Sequence, residues 1–356
     1  MCYHSKKLKK AKVSPRSKQL AKLLIRILIT AGLLIWVFSQ IDLEQFWQAV
    51  KSARWQFLIA VWILTVIFFW INSIKLRLIL KKQGCDADIT TIFGASAVAA
   101  LYGMIVPGVL STVAKWYILR KDTGKGSTVF SSMLYNQLSI VVVMTVCGLI
   151  ALMITNPASL LQDNAKSRWL LPVVCGILVV AIILVSLLLL SSRTGGRITK
   201  ALRPLLRPFP TKISQKAQET LRQIASFQTV GVPFHLTITS ITMIDGLGVG
   251  VLIYILAAKA ANVYAPVGVF VWLCAIIYLL ARLPISVANL GVREVTLVGF
   301  LTVYGVENSA ALLMSMILFS TSVFMAIIGA MYQLSWSINA KKLAQPKGKS
   351  AQAGDG

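Results

Sequence analysis

Acidic side chains are scarce in this chain. Its 356 residues include 11 Asp and Glu against 36 Lys and Arg, which gives a formal net charge of +25 at neutral pH. All charged residues together make up 13% of the chain, well below the roughly 25% of an ordinary soluble domain. With 57% hydrophobic residues, this composition excludes a typical globular protein of the cytosol.

Histidine and cysteine are also rare. His4 and His235 lie far apart in the sequence, so a histidine-based metal or catalytic centre is not expected. The cysteines share no CxxC spacing and lie at positions 2, 85, 147, 175 and 274. Neither a zinc site nor a disulfide framework is indicated by this pattern, and we predict no cofactor and no metal.

Long apolar runs dominate the sequence. Leu23–Phe38 is interrupted by Arg26 and Thr30, and residues 169–190 contain no charge. Runs of about 20 apolar residues cross a bilayer as helices, because the helix satisfies its own backbone hydrogen bonds in lipid. The sequence therefore predicts an all-α polytopic membrane protein.

The excess of basic residues is concentrated beside the apolar runs. Such charge marks the cytoplasmic ends of membrane helices, so we expect no nucleic-acid partner. Contact with membrane lipids follows, including attraction of the basic loops to the anionic inner leaflet. The basic residues of 1–19 place this arm in the cytoplasm, and Lys341, Lys342, Lys347 and Lys349 after the last crossing place the C-terminus there as well.

Hydropathy and flanking charge predict a single membrane domain over 20–338 and a disordered cytoplasmic tail over 339–356. The expected full crossings, six in number, lie at about 20–39, 55–80, 127–154, 169–191, 234–258 and 308–338. The first is expected to be retained rather than removed as a signal peptide. Glu44 and its neighbours are expected in an outer loop between the first two crossings.

A long basic connection, 192–233, is predicted on the cytoplasmic side. Within it, 211–227 has apolar residues at helical spacing, which favours an amphipathic helix on the inner membrane surface. A solvated helix between membrane segments is the alternative.

Two further apolar segments are broken by proline. Residues 89–114 contain Pro107-Gly108 and have basic residues at both flanks, so entry and exit on the cytoplasmic side fit the charge pattern. Residues 265–305 are broken between Pro284 and Gly291 and must start and finish outside. We predict two opposed re-entrant hairpins that form an inverted repeat, as in many transporters. Two proline kinks in ordinary helices are the alternative.

The second break carries a specific motif. Residues 284–294 read P-I-S-V-A-N-L-G-V-R-E, which resembles the P-x-S-x-G-G-x-G-x-R-E signature of the lysylphosphatidylglycerol synthase transmembrane-region family of flippase-like proteins. Ala288 and Asn289 replace the paired glycines of that signature. The resemblance extends over nearly the whole chain in helix order and spacing. Because the chain continues only briefly after its last crossing, we expect it to lack the soluble aminoacyl-transferase domain of full-length synthases.

Four charged residues fall in apolar surroundings: Arg282, Arg293, Glu294 and Asp245. A charge at the centre of a membrane helix costs about 2.5–3.5 kcal/mol on insertion scales, so these groups need partners or a ligand. Arginine binds phosphate through two parallel hydrogen bonds, which suggests a site for an anionic lipid headgroup. The acids would orient the arginines or receive a cationic headgroup. Alternatively, Arg293 and Glu294 only fasten the hairpin to a neighbouring helix.

Arg293 directly follows the break and is expected at a helix N-terminus near the middle of the membrane, which favours an anion. The remaining candidates for headgroup binding are uncharged or lie in the first half: Asn289, Lys115, Asn136 and Gln137.

These observations favour a translocase of a bacterial inner membrane, acting on a phospholipid or a lipid-linked anionic headgroup. No catalytic motif is recognised, so an enzyme is not expected. Two other classes stay open. One is a membrane-embedded transferase acting on a polyprenyl-phosphate or lipid, and the other is an accessory protein that partners a soluble enzyme through 192–233.

Overall fold

A computed structural model of the protein describes residues 35, 43–105, 109–157, 165–190, 230–283, 286 and 288–344. Within these ranges every regular element is helical. In chain order the elements are α1 (Leu43–Ser52), α2 (Gln56–Lys82), α3 (Ile89–Ile105), α4 (Val109–Thr123), α5 (Gly126–Thr155), α6 (Ala165–Leu190), α7 (Val232–Met243), a π-helical segment (Ile244–Gly250), α8 (Val251–Ala260), α9 (Val267–Leu280), α10 (Val292–Leu301), a 3-10 turn (Thr302–Tyr304) and α11 (Asn308–Ala344).

Five helical stretches are long and apolar enough to cross a bilayer. They are α2, α5, residues 169–186 of α6, the continuous rod from α7 to α8, and residues 308–338 of α11. Large apolar side chains such as Ile177 and Leu334 are exposed on their outer surfaces, as lipid-facing helices require. The chain is therefore a multi-pass membrane protein. These stretches coincide with five expected crossings, while the expected crossing at 20–39 lies outside the described residues except for Ile35.

Within the expected outer loop around Glu44, Leu43–Ser52 forms a short helix, α1. Its apolar side chains, including Phe46 and Val50, pack against the main buried cluster. Glu44 lies in its first turn and Lys51 in its last, where each charge complements the helix dipole. A helix this short, with one apolar face, gives no signal in a search for long apolar runs.

Several expectations fall outside the described residues. They are the basic arm 1–19, the connection 192–233 up to residue 229 with its amphipathic helix 211–227, and the tail from residue 345. At the start of that tail, α11 continues as helix beyond residue 338 to Ala344.

The first broken segment returns to the end of the protein from which it starts. Helices α3 and α4 pack against each other on either side of residues 106–108. The Lys125 Nζ, which follows α4, donates a hydrogen bond of 2.7 Å to the carbonyl of Gly84, which precedes α3. Both ends of this hairpin therefore lie beside the N-terminus of α5.

The second broken segment, α9 and α10, also starts and ends at one end of the protein, beside the C-terminus of α5. Gly268 at the start of α9 is packed so closely against Thr155 that an added Cβ would lie 2.6 Å from its Cγ2. Tyr304, which follows α10, also lies beside Thr155. Since Thr155 is the last residue of α5, the two hairpins start and end at opposite ends of this helix.

The first hairpin, α3 and α4, is followed by the long helix α5, and the second, α9 and α10, is followed by α11. The first helix of each hairpin packs on the long helix of the other: α3 lies on α11, and α9 lies on α5. Glycines make both contacts close. A Cβ at Gly329 of α11 would lie 2.2 Å from the carbonyl oxygen of Ala97, and a Cβ at Gly148 of α5 would lie 2.5 Å from the Cβ of Ala275. Small residues bring membrane helices together in this way.

The largest buried apolar cluster lies where α8, α9, α10 and α11 meet around Trp272. A second cluster, around Leu76, Ile92 and Leu119, joins α2 to the first hairpin.

Candidate functional site

The rod from α7 to α8 is interrupted at its middle by seven π-helical residues, Ile244–Gly250. Such wide turns recur at functional sites because they redirect side chains within an otherwise regular helix. Gly246 allows Met144 of α5 to approach, since a Cβ there would lie 2.6 Å from its sulfur. Asp245, one residue earlier, is 1% exposed.

Asp245 forms a buried ion pair with Lys75 of α2, with 3.6 Å between Nζ and Oδ2. The Asn72 side chain donates to the same oxygen over 3.3 Å. Asn72 and Lys75 are three residues apart and therefore share one face of α2. The other carboxylate oxygen, Oδ1, has no hydrogen-bond partner among the described residues.

Thr242 connects this pair to α5. Its hydroxyl donates to the carbonyl of Ile238 over 2.6 Å, so its oxygen accepts from Lys75 at 3.4 Å and from Ser139 at 3.1 Å. Lys75 is thus held between a carboxylate and a hydroxyl in a fully buried position.

Arg282 and Gln137 meet on Tyr278 of α9. The phenol oxygen accepts hydrogen bonds from Gln137 Nε2 at 2.9 Å and from Arg282 Nη2 at 2.6 Å. The guanidinium also lies over the Tyr278 ring, 4.4 Å from its centroid. Tyr278 is close enough to Asp245 for the two groups to interact electrostatically. The arginine of the second break therefore lies near the buried ion pair.

Lys115 of α4 completes the group. It is half-buried and lies within electrostatic range of Lys75 and Arg282. We call Lys75, Lys115, Arg282 and Asp245 the cationic cluster. It combines three positive charges with one negative charge, so one carboxylate cannot neutralise it. Charge is costly where it is buried, as at Lys75, whereas Arg282 is exposed and accessible to a ligand, so the surplus favours an anionic ligand.

Arg293 and Glu294 of α10 form a separate, internally satisfied pair. Arg293 donates to Glu294 through Nη2 and to Ser315 of α11 through Nε over 2.9 Å, while Ser315 donates to Glu294 over 2.9 Å. The other Glu294 oxygen accepts from the backbone N–H of Gly291 over 2.6 Å. The N-terminus of α10 therefore already holds a carboxylate. These contacts join α10 to α11.

The backbone conformation at Asn289 accounts for its place in the turn before α10. It adopts φ 60° and the preceding Ala288 adopts φ 51°, so both lie in the left-handed region that glycine favours. The Asn289 carbonyl accepts from the backbone N–H of Arg293 over 3.3 Å as α10 begins. Its position shapes the turn into α10.

Asn136 and Gln137 are neighbours on α5 but have different surroundings. Gln137 reaches Tyr278, whereas Asn136 is 6% exposed and its Oδ1 has no hydrogen-bond partner among the described residues. The hydroxyl of Ser132, one turn earlier, is similarly unpartnered within those ranges. These atoms form a second buried polar position on α5.

Lys75 and Tyr278 were not among the candidate residues predicted from the sequence. Lys75 lies in the last third of α2, where basic residues are typical of a cytoplasmic flank, although it is buried inside the protein. Its spacing from Asn72, and a lone acid in the apolar run 234–258 that needs a counter-ion, were the available signals. Across the described ranges, no group of three or more His, Cys, Asp or Glu residues is placed to hold a metal ion.

Comparison with known proteins agrees with the membrane architecture. No curated protein and no solved structure matches the chain. One family model, described as the lysylphosphatidylglycerol synthase TM region, matches residues 23–329, which include all of the helices α1 to α10 and most of α11. With so much of its length matched, and with the Gly291–Glu294 motif starting α10 at the second break, the chain belongs to the lysylphosphatidylglycerol synthase transmembrane-region family.

Proposed function

We propose that this protein translocates lipids with an anionic headgroup across a bacterial inner membrane, and that the cationic cluster holds the headgroup. The surplus positive charge of the cationic cluster, which remains after Lys75 pairs with Asp245, is the observation that carries the proposal. The guanidinium of Arg282 suits a phosphate because its planar fork donates two parallel hydrogen bonds, while the lysines supply point charges. Acyl chains would stay in the surrounding lipid.

Membership of the family supports a lipid as the substrate. The family is named after synthases of lysylphosphatidylglycerol, and phosphatidylglycerol carries one phosphodiester charge in its headgroup. That charge would reduce the surplus of the cationic cluster from two positive charges to one.

We also propose that the two hairpins are re-entrant. Helix α9 has 14 residues and α10 has 10, which correspond to about 21 and 15 Å of helix, against about 30 Å of hydrocarbon. The contacts of Lys125 with Gly84 and of Gly268 with Thr155 support entry and exit at a single face for each hairpin. With residues 20–39 as a sixth crossing, the protein has six crossings and two opposed hairpins.

The reciprocal packing supports an inverted repeat. Helix α3 lies on α11 as α9 lies on α5, and each second arm packs on the long helix that follows it. Lys115 comes from the second arm of the first hairpin, and Arg282 comes from the end of the first arm of the second. Inverted repeats with broken helices bind substrates near the bilayer midplane in many transporters.

The orientation follows from charge. Lys81, Lys82, Arg120 and Lys121 lie at the helix ends next to the start and finish of the first hairpin. By the positive-inside rule we place this end in the cytoplasm and the loop 261–266 outside.

A translocation assay tests the function. The purified protein is reconstituted into phosphatidylcholine liposomes, and the loss of outer-leaflet fluorescent phosphatidylglycerol or phosphatidylcholine is followed with a membrane-impermeant quencher. We expect phosphatidylglycerol to cross faster than in protein-free liposomes and faster than phosphatidylcholine. Equal rates with and without protein would contradict translocation, and equal rates for both lipids would contradict a cationic headgroup site.

A further inference from the structure

Asp245 has a feature that headgroup binding alone leaves unexplained. Its Oδ2 faces Lys75 and accepts from Asn72, but Oδ1 has no hydrogen-bond partner among the described residues and the residue is 1% exposed. A buried, ionised oxygen without a donor is costly. A proton on Oδ1 would remove the carboxylate charge.

We propose that Asp245 binds a proton at Oδ1, and that protonation strengthens anion binding by the cationic cluster. This inference rests on the proposed function. In the ionised state, Asp245 is the counter-ion of Lys75. When Oδ1 takes a proton from water, an O–H bond forms, the carboxylate charge disappears, and the Lys75 ammonium becomes available to the phosphate of a headgroup. Release of the headgroup returns the proton to water, so binding and release of the lipid are coupled to uptake and release of a proton.

The surroundings of Asp245 fit this exchange. Lys75 on α2 is its nearest charge, at 3.6 Å, and Tyr278 on α9 lies within electrostatic range. On α7, His235 is a further titratable group, and its Nδ1 is 2.6 Å from a tyrosine hydroxyl of α5. On α8, Tyr254 interacts with groups of α9 and α10. Because histidine is the side chain type that ordinarily changes charge between pH 5 and 8, the variants must separate any effect of His235 from that of Asp245.

The repulsion among the cations sets the direction of the pH effect. Lys115 is repelled by Lys75, so neutralising Asp245 leaves three positive charges without their internal counter-ion. An anion then becomes the available counter-ion. Binding of an anionic lipid should therefore tighten as the pH falls, and by linkage an anionic lipid should promote proton uptake.

The test measures binding of short-chain phosphatidylglycerol to the protein in phosphatidylcholine nanodiscs. Its phosphodiester keeps one negative charge, so the pH acts on the protein alone. For the wild type, we expect the Kd to fall at least about threefold from about pH 8 to about pH 5. Asp245→Asn imitates the protonated state and keeps a polar group beside Asn72. It should bind at high pH as tightly as the wild type does at low pH, with a Kd independent of pH.

Asp86→Asn is the matched control. Asp86 also pairs with basic residues, Arg77 and Lys81, but its side chain is 63% exposed and lies outside the membrane helices. This variant should keep the pH dependence of the wild type. A wild-type Kd without pH dependence, or a pH dependence that survives in Asp245→Asn, would overturn the proton site.

Asp245→Asn leaves the Lys75 charge unpaired, and this variant could fail to fold for that reason. A second variant is therefore needed. The double variant Lys75→Gln with Asp245→Asn removes both charges and should also bind without pH dependence. A pH dependence in the double variant would assign it to another group, such as His235, and overturn the proposal.

Infrared difference spectroscopy measures protonation of the carboxylate independently of lipid binding. Acidification of the wild type should produce a protonated-carboxyl band that Asp245→Asn lacks, whether or not any lipid binds. Absence of this difference overturns the proton site. If the band is present but no phosphatidylglycerol binds at any pH, the headgroup proposal fails and the coupling of lipid to proton falls with it.

Discussion

The turn before α10 shows how single residues determine the second hairpin. Ala288, Asn289 and Gly291 all have positive φ values, between 51° and 82°. A left-handed residue with a Cβ costs roughly 1–2 kcal/mol, which glycine avoids and asparagine partly offsets through local hydrogen bonds. The family signature has glycines at 288 and 289, so this chain retains the conformation with less favourable residues.

We expect Ala288→Gly to raise the free energy of unfolding by about 0.5–1 kcal/mol, because relief of the left-handed strain exceeds the added freedom of the unfolded chain. Ala281→Gly is the control, since Ala281 has φ −62° at the end of α9 and gains nothing from glycine. Unfolding in detergent, followed by circular dichroism, measures both. Equal destabilisation by the two changes would contradict the strain at Ala288.

The pairing of Arg293 gives a second prediction. Arg293→Ala leaves Glu294 buried and unpaired, and we expect a loss of about 3–5 kcal/mol in unfolding free energy. Arg293→Lys should lose less, because an ammonium replaces one of the two contacts that the guanidinium makes with Glu294 and Ser315.

The double variant Arg293→Met with Glu294→Gln should recover part of that loss, because no buried charge is left unpaired. Thermal unfolding in detergent compares the set. If Arg293→Lys keeps wild-type stability but stops lipid translocation, the residue binds the headgroup and its role as a fastening is wrong.

The sequence identified the buried charges but not their partners. Asp245 was expected beside an arginine, whereas Lys75, 170 residues earlier on α2, provides the ion pair. Arg293 and Glu294 are adjacent, so their pairing was among the alternatives, but Ser315 was not considered. Partners that come from different helices depend on how the helices rotate and cross, and no local pattern of residue types encodes this.

At the level of elements, hydropathy predicted the long helices because length and apolar composition are the conditions for crossing lipid. It did not predict α1, which is short and amphipathic, or the π-helical segment at Ile244–Gly250. The extra residue per turn in that segment depends on packing with α2 and α5, which a helical period of 3.6 does not reveal. Among the described glycines, the shortest distance from an added Cβ to a neighbouring atom is 2.2 Å, at Gly329, where α11 contacts α3.

Glycine substitutions test this packing. Gly329→Ala places a Cβ 2.2 Å from a backbone oxygen of α3, and Gly148→Ala places one 2.5 Å from Ala275. We expect each to lower the free energy of unfolding by about 1–3 kcal/mol, with Gly329→Ala the larger because a backbone atom cannot rotate away. Gly299→Ala has nothing within 4 Å and should be neutral or slightly stabilising. Similar melting temperatures for all three would contradict the close contacts.

At the scale of the whole molecule, we propose that the two hairpins enter from opposite faces of the membrane. Single cysteines in a cysteine-free background should therefore react differently with a membrane-impermeant maleimide on intact cells. Positions 259 and 307 should react from outside, and positions 84 and 124 only after permeabilisation. If only one of 259 and 307 reacts from outside, the second hairpin is a true crossing and the inverted repeat is wrong.

The central claim is that the cationic cluster carries an anionic headgroup across the membrane. The most direct measurement compares phosphatidylglycerol translocation by the wild type with that of the double variant Lys115→Gln, Arg282→Gln. The control replaces Lys82 and Lys121, two exposed lysines at helix ends, with glutamine.

Each charged hydrogen bond contributes about 1.5–3 kcal/mol, so we expect the double variant to translocate at least about tenfold more slowly, with a melting temperature near that of the wild type. The control should keep the wild-type rate. A double variant that folds and moves phosphatidylglycerol at the wild-type rate would contradict the account.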